Sequence, residues 1–224
     1  MTSAVIVAAG KGRRFGSPKQ FARLVGKPLL FHTIERFERA RSVTEIVLVI
    51  PKRSVKEISR QVERFGFQKV TRIVPGGERR MDSVYSGLMV AQGEIIVVHD
   101  GVRPLVTPSM INRGVRECKK HGACIYATRA TDTVKLAQNG SVKSTLEREQ
   151  VYLTQTPQVF RKQLLLEAYI SAYERKIEAP DDAYLVERMG ISVKILDGAA
   201  ENIKVTSPLD LRLVEALIVR GKND

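Results

Sequence analysis

Short apolar segments alternate with amphipathic helical patterns along most of the chain, and this alternation constrains the fold more than any other feature. Residues 3–9 and 45–50 are largely apolar runs of the kind found in strands buried on both faces. Between these runs, apolar residues recur at helical spacing, as Leu30, Ile34 and Phe37 do. Buried strands joined by helices indicate right-handed crossovers. We therefore predict an α/β, Rossmann-like, mostly parallel twisted sheet with helices on both faces. The predicted strands are 3–9, 45–50, 68–74, 94–99, 123–128 and 192–196.

The pattern changes at about residue 131, where a polar hairpin is predicted. Residues 133–138 and 141–147 flank Asn139-Gly140, a strong two-residue turn signal. An isolated hairpin with so few apolar residues is marginal by itself. We therefore predict a protruding β-hairpin arm that packs on another surface, such as a second subunit. It is an insertion, at about 131–157, into a single domain spanning 1–224. The α/β pattern resumes with helices at 161–174, 181–189 and 208–220.

The chain is strongly basic. Lys and Arg number 37 against 24 Asp and Glu, which gives a formal net charge of +13. Such an excess indicates a polyanionic partner, and composition leaves open whether that is nucleic acid, a membrane surface or a phosphate-rich small substrate. A solvated basic surface is the alternative.

Membrane and secreted classes are disfavoured. The longest aliphatic run is Ala4 to Ala9, six residues, against the roughly 20 that a membrane span needs. No basic segment precedes an apolar stretch at the N-terminus, so we expect no secretory signal. The two cysteines, Cys118 and Cys124, cannot build a disulfide framework. We expect a soluble, cytoplasmic protein.

A glycine-rich turn follows the first predicted strand. Gly10, Gly12 and Gly16 do not match the dinucleotide fingerprint, because the last interval is four residues instead of three. The Gly-Lys-Ser/Thr end of a P-loop is also missing. Backbone N–H groups in such a turn nevertheless suit phosphates. Four cations in the nine residues 11–19 favour a triphosphate, with a tight turn carrying solvated cations as the alternative: Lys11, Arg13, Arg14 and Lys19.

Asp100 follows the predicted strand 94–99 and is a candidate metal ligand. In open parallel sheets, ligands bind at the carboxyl ends of the strands. Mg²⁺ prefers one or two carboxylates together with substrate phosphates, so a single Asp is enough. The alternative is a turn-capping Asp before Gly101. The three scattered histidines and two cysteines have no transition-metal spacing.

Six sequence blocks, in order, resemble one enzyme family. The first is AAGKGRRFGSPKQF (8–21) with GKPLL (26–30), which resembles the signature of sugar-phosphate nucleotidyltransferases. Taken together and in this order, the six blocks resemble those of the 2-C-methyl-D-erythritol 4-phosphate cytidylyltransferases of the non-mevalonate isoprenoid pathway. The resemblance extends from about residue 2 to residue 216. The other five blocks are PGGERRMDSV (75–84), VVHDGVRP (97–104), TDTVK (131–135), QTPQVF (155–160) and ENIKVT (201–206).

The resemblance implies a reaction and a set of residues. A phosphate oxygen of methylerythritol phosphate attacks the α-phosphorus of CTP and pyrophosphate leaves, with Mg²⁺ or another divalent cation as cofactor and no protein nucleophile. Arg14, Lys19 and Lys204 are the implied catalytic cations, and Asp100 is the implied metal ligand. The implied nucleotide-binding residues are Ala8, Ala9, Gly10, Gly12, Gly77, Glu78, Ser83 and Gly101. The implied residues for the second substrate are Arg103, Thr133, Arg148, Thr156 and Lys204.

The resemblance also implies a homodimer, in which the arm brings Thr133 and Arg148 to the partner's site. Three positions depart from the family pattern: Gly101-Val102 replaces Ala-Ala, Pro180 replaces a Thr before Asp181-Asp182, and Glu147 replaces an Asp.

Two other functions are weighed against this one. A ribitol 5-phosphate cytidylyltransferase shares the glycine-rich loop and the Gln-Thr-Pro-Gln block, but Ala8-Ala9-Gly10 and Asp82-Ser83-Val84 favour the erythritol family. A basic nucleic-acid-binding module fits the charge, but the chain has no Trp and no aromatic stacking motif. We therefore expect no nucleic-acid or membrane partner.

Overall fold

The protein is built on a central sheet, in a computed structural model that describes residues 1–10, 12 and 15–220. The strands of this part of the chain are β1 (Thr2–Val7), β2 (Arg23–Leu24), β3 (Lys27–Pro28), β4 (Glu45–Ile50), β5 (Val70–Pro75), β6 (Ile95–Asp100), β7 (Ala123–Arg129), β8 (Lys135–Gln138), β9 (Ser141–Thr145), β10 (Tyr152–Arg161) and β11 (Lys194–Asp197). Its helices are α1 (Leu29–Arg39), α2 (Val55–Phe65), α3 (Arg80–Val90), α4 (Pro108–His121), α5 (Lys162–Glu174), α6 (Asp182–Glu187) and α7 (Pro208–Arg220).

Seven strands form the central sheet in the order β11-β7-β10-β6-β1-β4-β5. β1 pairs in parallel with both β4 and β6, and β4 pairs in parallel with β5. β10 is antiparallel to both of its neighbours, β6 and β7. From β1 the chain goes first to β4 on one side and later to β6 on the other. This reversal makes a crevice at the carboxyl ends of β1 and β6, the position where such sheets bind ligands.

Helices cover both faces of the sheet, as predicted. One apolar cluster joins α1, α2 and α4 to alternate strand residues such as Ile6 and Leu48. A second joins α3, α5 and α6 to the opposite face through residues such as Val5 and Val98. A third, smaller cluster packs α7 against β2 and the start of α1, with Leu29 and Val214 buried. The mostly parallel α/β prediction is therefore confirmed.

The boundaries of the predicted elements agree closely with the structure. The N-terminus predicted for α4 is confirmed, because the Thr107 hydroxyl accepts a hydrogen bond from the Met110 N–H and Pro108 lies in the first turn. The sequence pattern predicts no strand at Tyr152–Arg161, yet β10 lies between β6 and β7. Pro157 argues against a central strand, and a register shift between Gln155 and Gln158 accommodates it.

The predicted hairpin forms a separate two-stranded sheet, β8–β9, in which every strand residue is exposed. Its apolar side chains Leu136 and Val142 are 45% and 66% exposed. Because residues from Tyr152 onward form β10 in the central sheet, we use the name arm below for residues 131–151 of the predicted insertion. Among the described residues, no helix has the length and apolar character to cross a membrane.

Candidate active site

A cleft with about 770 Å³ of empty space opens at the carboxyl edge of the sheet, where β1 and β6 end. Loops after β1, β5 and β6 meet there, as the reversal in strand order predicts. Nine of the predicted site residues line this first cleft: Ala8, Ala9, Gly10, Lys19, Gly77, Glu78, Ser83, Asp100 and Lys204.

Backbone and small side chains shape the side of the first cleft formed by the loops after β1 and β5. The buried Gln20 amide donates to the carbonyl of Gly10 at 3.1 Å and so fixes the turn after β1. A Cβ at Gly76 would lie 2.3 Å from the Ala9 Cβ, so this close approach requires glycine. The Ser83 hydroxyl accepts from the Gly77 N–H and donates to the Arg79 carbonyl. Ser83 therefore holds the Gly76–Gly77 turn against the start of α3.

Three cations surround the Asp100 carboxylate, which is almost fully buried. Lys204 Nζ lies 2.7 Å and Arg103 Nε 3.7 Å from Oδ2, and Arg80 Nε lies 3.3 Å from Oδ1. Burial alone would raise the pKa of this carboxyl. The charges of Arg80 and Lys204, with a smaller contribution from Arg103, outweigh burial and hold the pKa well below its usual range. Asp100 is therefore a permanent anion facing the cleft.

A second cleft adjoins the first and shares Arg80, Asp100 and Lys204 with it. We call these three residues the shared wall. Besides the shared Lys204, two predicted second-substrate residues line this cleft, Arg103 and Thr156. Two ligands, one in each cleft, would therefore meet at the shared wall.

Arg103 and Thr156 are each fixed by hydrogen bonds within the chain. Arg103 Nη1 donates to the backbone carbonyl of Asn202 at 2.7 Å. Thr156 Oγ1 accepts the N–H of Asp100 at 3.1 Å, and its carbonyl accepts from the Asn202 amide. The buried Asn202 thus ties β10 to the segment that carries Lys204.

Arg80 and Asp182 lie beside the predicted site residues but are not among them, although both fall in stretches that the family pattern covers. Arg80 Nη2 lies 2.8 Å from Oδ2 of Asp182, which is 1% exposed. The Tyr169 hydroxyl donates to the other oxygen of this carboxylate at 2.5 Å. Arg80 and Asp182 are far apart in sequence, so no local spacing could have indicated their pairing. The available signals were that Arg80 lies within a recognised block and that Asp181-Asp182 belong to the family pattern.

The predicted residues outside the two clefts fall into three groups. Gly12 and Gly101 line neither cleft, although Gly12 has φ +64° and a Cβ there would lie 1.9 Å from the Ser17 carbonyl oxygen. Thr133 and Arg148 are exposed on the arm and line neither cleft of their own chain. Arg14, with Lys11 and Arg13, lies outside the described residues, so its role stays a prediction.

The donor set suits a divalent cation held with substrate phosphates better than a metal site built by the protein alone. In the part of the chain that the structure describes, no three His, Cys, Asp or Glu side chains come together as a metal site. Asp100 offers one permanently ionised carboxylate at the edge shared by both clefts. One carboxylate completed by phosphate oxygens is a usual arrangement for Mg²⁺. The residues present therefore fit such an ion.

The fold and the paired clefts are those of an α/β nucleotidyltransferase. A family model described as IspD, 2-C-methyl-D-erythritol 4-phosphate cytidylyltransferase, matches residues 2–220. The chain belongs to this family.

Individual relatives agree with the family match. A protein of Pelotomaculum thermopropionicum named 2-C-methyl-D-erythritol 4-phosphate cytidylyltransferase is 44% identical over 222 residues, covering 96% of this chain and 93% of the relative. One of the same name from Alkaliphilus oremlandii is 41% identical, covering 97% and 94%. The crystal structure of a 4-diphosphocytidyl-2C-methyl-D-erythritol synthase from Anaerococcus prevotii superposes with a TM-score of 0.87 at 31% identity, covering 97% of this chain and 98% of that one.

Proposed function

We propose that this chain transfers the cytidylyl group of CTP to 2-C-methyl-D-erythritol 4-phosphate, forming 4-diphosphocytidyl-2-C-methyl-D-erythritol and pyrophosphate in non-mevalonate isoprenoid biosynthesis. The observation that carries the proposal is the shared wall, in a chain of this family. CTP occupies the first cleft and the sugar phosphate the second, so that the reacting groups meet beside Asp100 and Lys204.

The reaction is an in-line displacement at phosphorus. An oxygen of the sugar phosphate forms a bond to the α-phosphorus of CTP. The bond from that phosphorus to the oxygen bridging to the β-phosphate breaks, and pyrophosphate leaves with the electron pair. Because the attacking phosphate is already an anion, no protein nucleophile is needed, and catalysis depends on positioning and on positive charge at the reacting phosphorus.

The cations of the first cleft supply that charge. Lys19 and Lys204 both line it, and Lys204 also lines the second cleft, which suits it to contact both substrates. We assign Lys19, Lys204 and Arg14 to stabilising the crowded phosphorus. Ala8, Ala9, Gly10, Gly77 and Glu78 line the same cleft and suit the nucleoside, with Ser83 holding the turn. Arg103 and Thr156 suit the sugar phosphate.

Asp100 is the residue we assign to a divalent cation, Mg²⁺ or a substitute such as Mn²⁺. When bound with CTP, such an ion neutralises charge on the phosphate oxygens. Lys204 and Asp100 now form an ion pair at 2.7 Å. An anionic triphosphate gives Lys204 an alternative partner, which leaves an Asp100 oxygen available as a ligand.

The arm completes the site of a second copy of the chain. Its strand residues are exposed, and Thr133 and Arg148 lie apart from both clefts of their own chain. Two-stranded hairpins are marginal in water unless they pack on something. We therefore propose a homodimer in which each arm brings Thr133 and Arg148 to the partner's second cleft.

We place the reaction in the cytoplasm. Cys118 and Cys124 are both buried free thiols. Burial raises the pKa of each thiol to about 12, so both stay protonated and unreactive. Free thiols suit a reducing compartment.

Turnover with competing substrates tests the proposal. Purified protein is incubated with CTP, Mg²⁺ and either methylerythritol phosphate or ribitol 5-phosphate, and the CDP-linked product and pyrophosphate are quantified. We expect product from methylerythritol phosphate at a much higher kcat/KM. Preference for ribitol phosphate would change the substrate assignment. Salt-sensitive binding of nucleic acid with no turnover of CTP would replace the enzyme by a binding module.

A further inference from the structure

We propose that Arg80, anchored by the buried Asp182, is a positioning residue that fixes the Asp100 carboxylate for the divalent cation. This inference rests on the proposed function, in which Asp100 takes that cation. It gives a positioning role to two residues that the predicted site does not include.

Arg80 connects two carboxylates through two different nitrogens of its guanidinium. Its Nε lies 3.3 Å from Asp100 Oδ1, and its Nη2 lies 2.8 Å from Asp182 Oδ2. The side chain is 27% exposed, between two carboxylates that are 9% and 1% exposed. Because a guanidinium is planar and rigid, holding one edge on Asp182 determines where the other donor meets Asp100.

Asp182 is itself firmly held. Tyr169, fully buried in the second apolar cluster, donates its hydroxyl to Oδ1 at 2.5 Å. The backbone N–H groups of Asp182 and Ala183 both donate to Oε1 of Gln158, in the central strand β10. A buried carboxylate needs an opposite charge, and Arg80 provides it. The chain Tyr169–Asp182–Arg80–Asp100 therefore runs from the core to the cleft.

Arg80 and Lys204 have different parts in this arrangement. The Lys204 side chain is 38% exposed and approaches Asp100 Oδ2, whereas Arg80 approaches Oδ1. The charge of Arg80 is matched by Asp182, so it adds little net charge for a triphosphate. Arg80 keeps Asp100 oriented after Lys204 has moved to the phosphates. Groups that orient a metal ligand in this way commonly change metal affinity or activity by about 10–100-fold when removed.

The test compares CTP binding with and without metal. Calorimetry gives the Kd of CTP in EDTA and in saturating Mn²⁺, with no sugar phosphate present, so turnover does not enter. The ratio of the two constants measures how far the metal strengthens CTP binding. For Asp182→Asn we expect this ratio to fall by about 10–100-fold, while the EDTA value stays unchanged or becomes slightly tighter.

Arg80→Lys is the second variant and decides the matter if Asp182→Asn does not fold. Lysine retains the charge but cannot span both carboxylates with a fixed fork. We expect its Mn²⁺-dependent ratio to fall as well, with CTP binding in EDTA retained. A role for Arg80 as a phosphate-binding charge alone predicts the wild-type ratio.

Glu45→Gln is the matched control. Glu45 is another buried carboxylate, 1% exposed, and it accepts hydrogen bonds from the Thr71 hydroxyl and the Gln92 N–H away from both clefts. We expect lower stability but the wild-type ratio.

Each result bears on one claim. A wild-type ratio in Asp182→Asn or Arg80→Lys, or an equal loss in Glu45→Gln, would overturn the positioning role. Absence of turnover by the wild-type protein with CTP and the sugar phosphate would instead overturn the proposed function, so the two failures are distinguishable.

Discussion

The shared wall and the arm both carry predicted site residues, but those of the wall are buried or paired within the chain, whereas those of the arm are exposed. Two of the three cations around Asp100 are held by other parts of the chain, Arg80 by Asp182 and Arg103 by Asn202. Thr156 holds the backbone of Asp100. On the arm, Arg148 donates to the carbonyl of Thr131, and its other contact is an exposed pair with Glu149. The shared wall is preorganised by the fold, whereas the exposed residues of the arm are available to be ordered by contact with a second subunit. This contrast supports a composite site in a dimer.

The largest effect is expected in Lys19→Ala, at the first cleft, and in Arg14→Ala, whose role is implied by the family resemblance alone. Removing a preorganised cation at the reacting phosphorus should lower kcat by about a hundredfold or more. Steady-state kinetics measures the loss, and an unchanged melting temperature shows that the fold is intact. Wild-type rates in a variant would remove its residue from the catalytic set.

Truncating an apolar side chain should lower the free energy of unfolding much more in the core than on the arm. Leu48→Ala in the fully buried centre of β4 should lower the free energy of unfolding by about 2–5 kcal/mol. Leu136→Ala on the arm should change it by less than about 0.5 kcal/mol, because Leu136 is 45% exposed in the single chain. Denaturant titration of each variant measures both. A large loss for Leu136→Ala in the monomer would mean that the arm belongs to the core.

Arg148→Ala should weaken binding of the sugar phosphate but not binding of CTP. Losing one charged hydrogen bond should raise the KM for the sugar phosphate by about tenfold or more, with the KM for CTP unchanged. An unchanged KM for the sugar phosphate would contradict the assignment.

Mixing Lys19→Ala with Arg148→Ala tests whether the site is shared between subunits, in an assay with the sugar phosphate well below its KM so that each variant alone is strongly impaired. In a Lys19→Ala/Arg148→Ala mixed dimer, one composite site combines Lys19 of one chain with Arg148 of the other. After subunit exchange, equal amounts should recover about a quarter of the wild-type activity. No recovery, with mixed dimers demonstrated by mass spectrometry, would place Arg148 at the site of its own chain.

The last effect concerns pH and His99, which is fully buried behind the shared wall. Burial lowers the pKa of His99 to about 3, so the folded protein keeps this ring neutral while the unfolded chain protonates it below about pH 6.5. Stability should therefore fall as the pH falls from about 6.5 towards 3. His99→Gln should reduce this slope by about 1.4 kcal/mol per pH unit near pH 5. Urea unfolding at several pH values measures the slope, and the wild-type slope in the variant would contradict the assignment.

Much of the fold follows from local pattern, because alternating strands and helices carry their own periodicity. The turn at Asn139-Gly140 and the Thr107 cap are local signals, and the structure contains both. β10 was not predictable, since a register shift against β7 accommodates Pro157 and hydrogen bonds to distant residues satisfy the buried Gln155 and Gln158.

The site residues likewise divide into those that local sequence patterns indicate and those that depend on long-range packing. Asp100, Lys19 and Lys204 lie in recognised blocks, and the first cleft brings them together. The pairing of Arg80 with Asp182 depends on how α3 and α6 pack on one face of the sheet. No spacing within a single segment encodes that contact.

A crystal structure with CTP and Mg²⁺ tests the central claim most directly. We expect the α-phosphate between Lys19 and Lys204, the metal ion on Asp100, and the second cleft open towards the α-phosphorus. A triphosphate bound elsewhere, or an α-phosphorus turned away from the shared wall, would contradict the account.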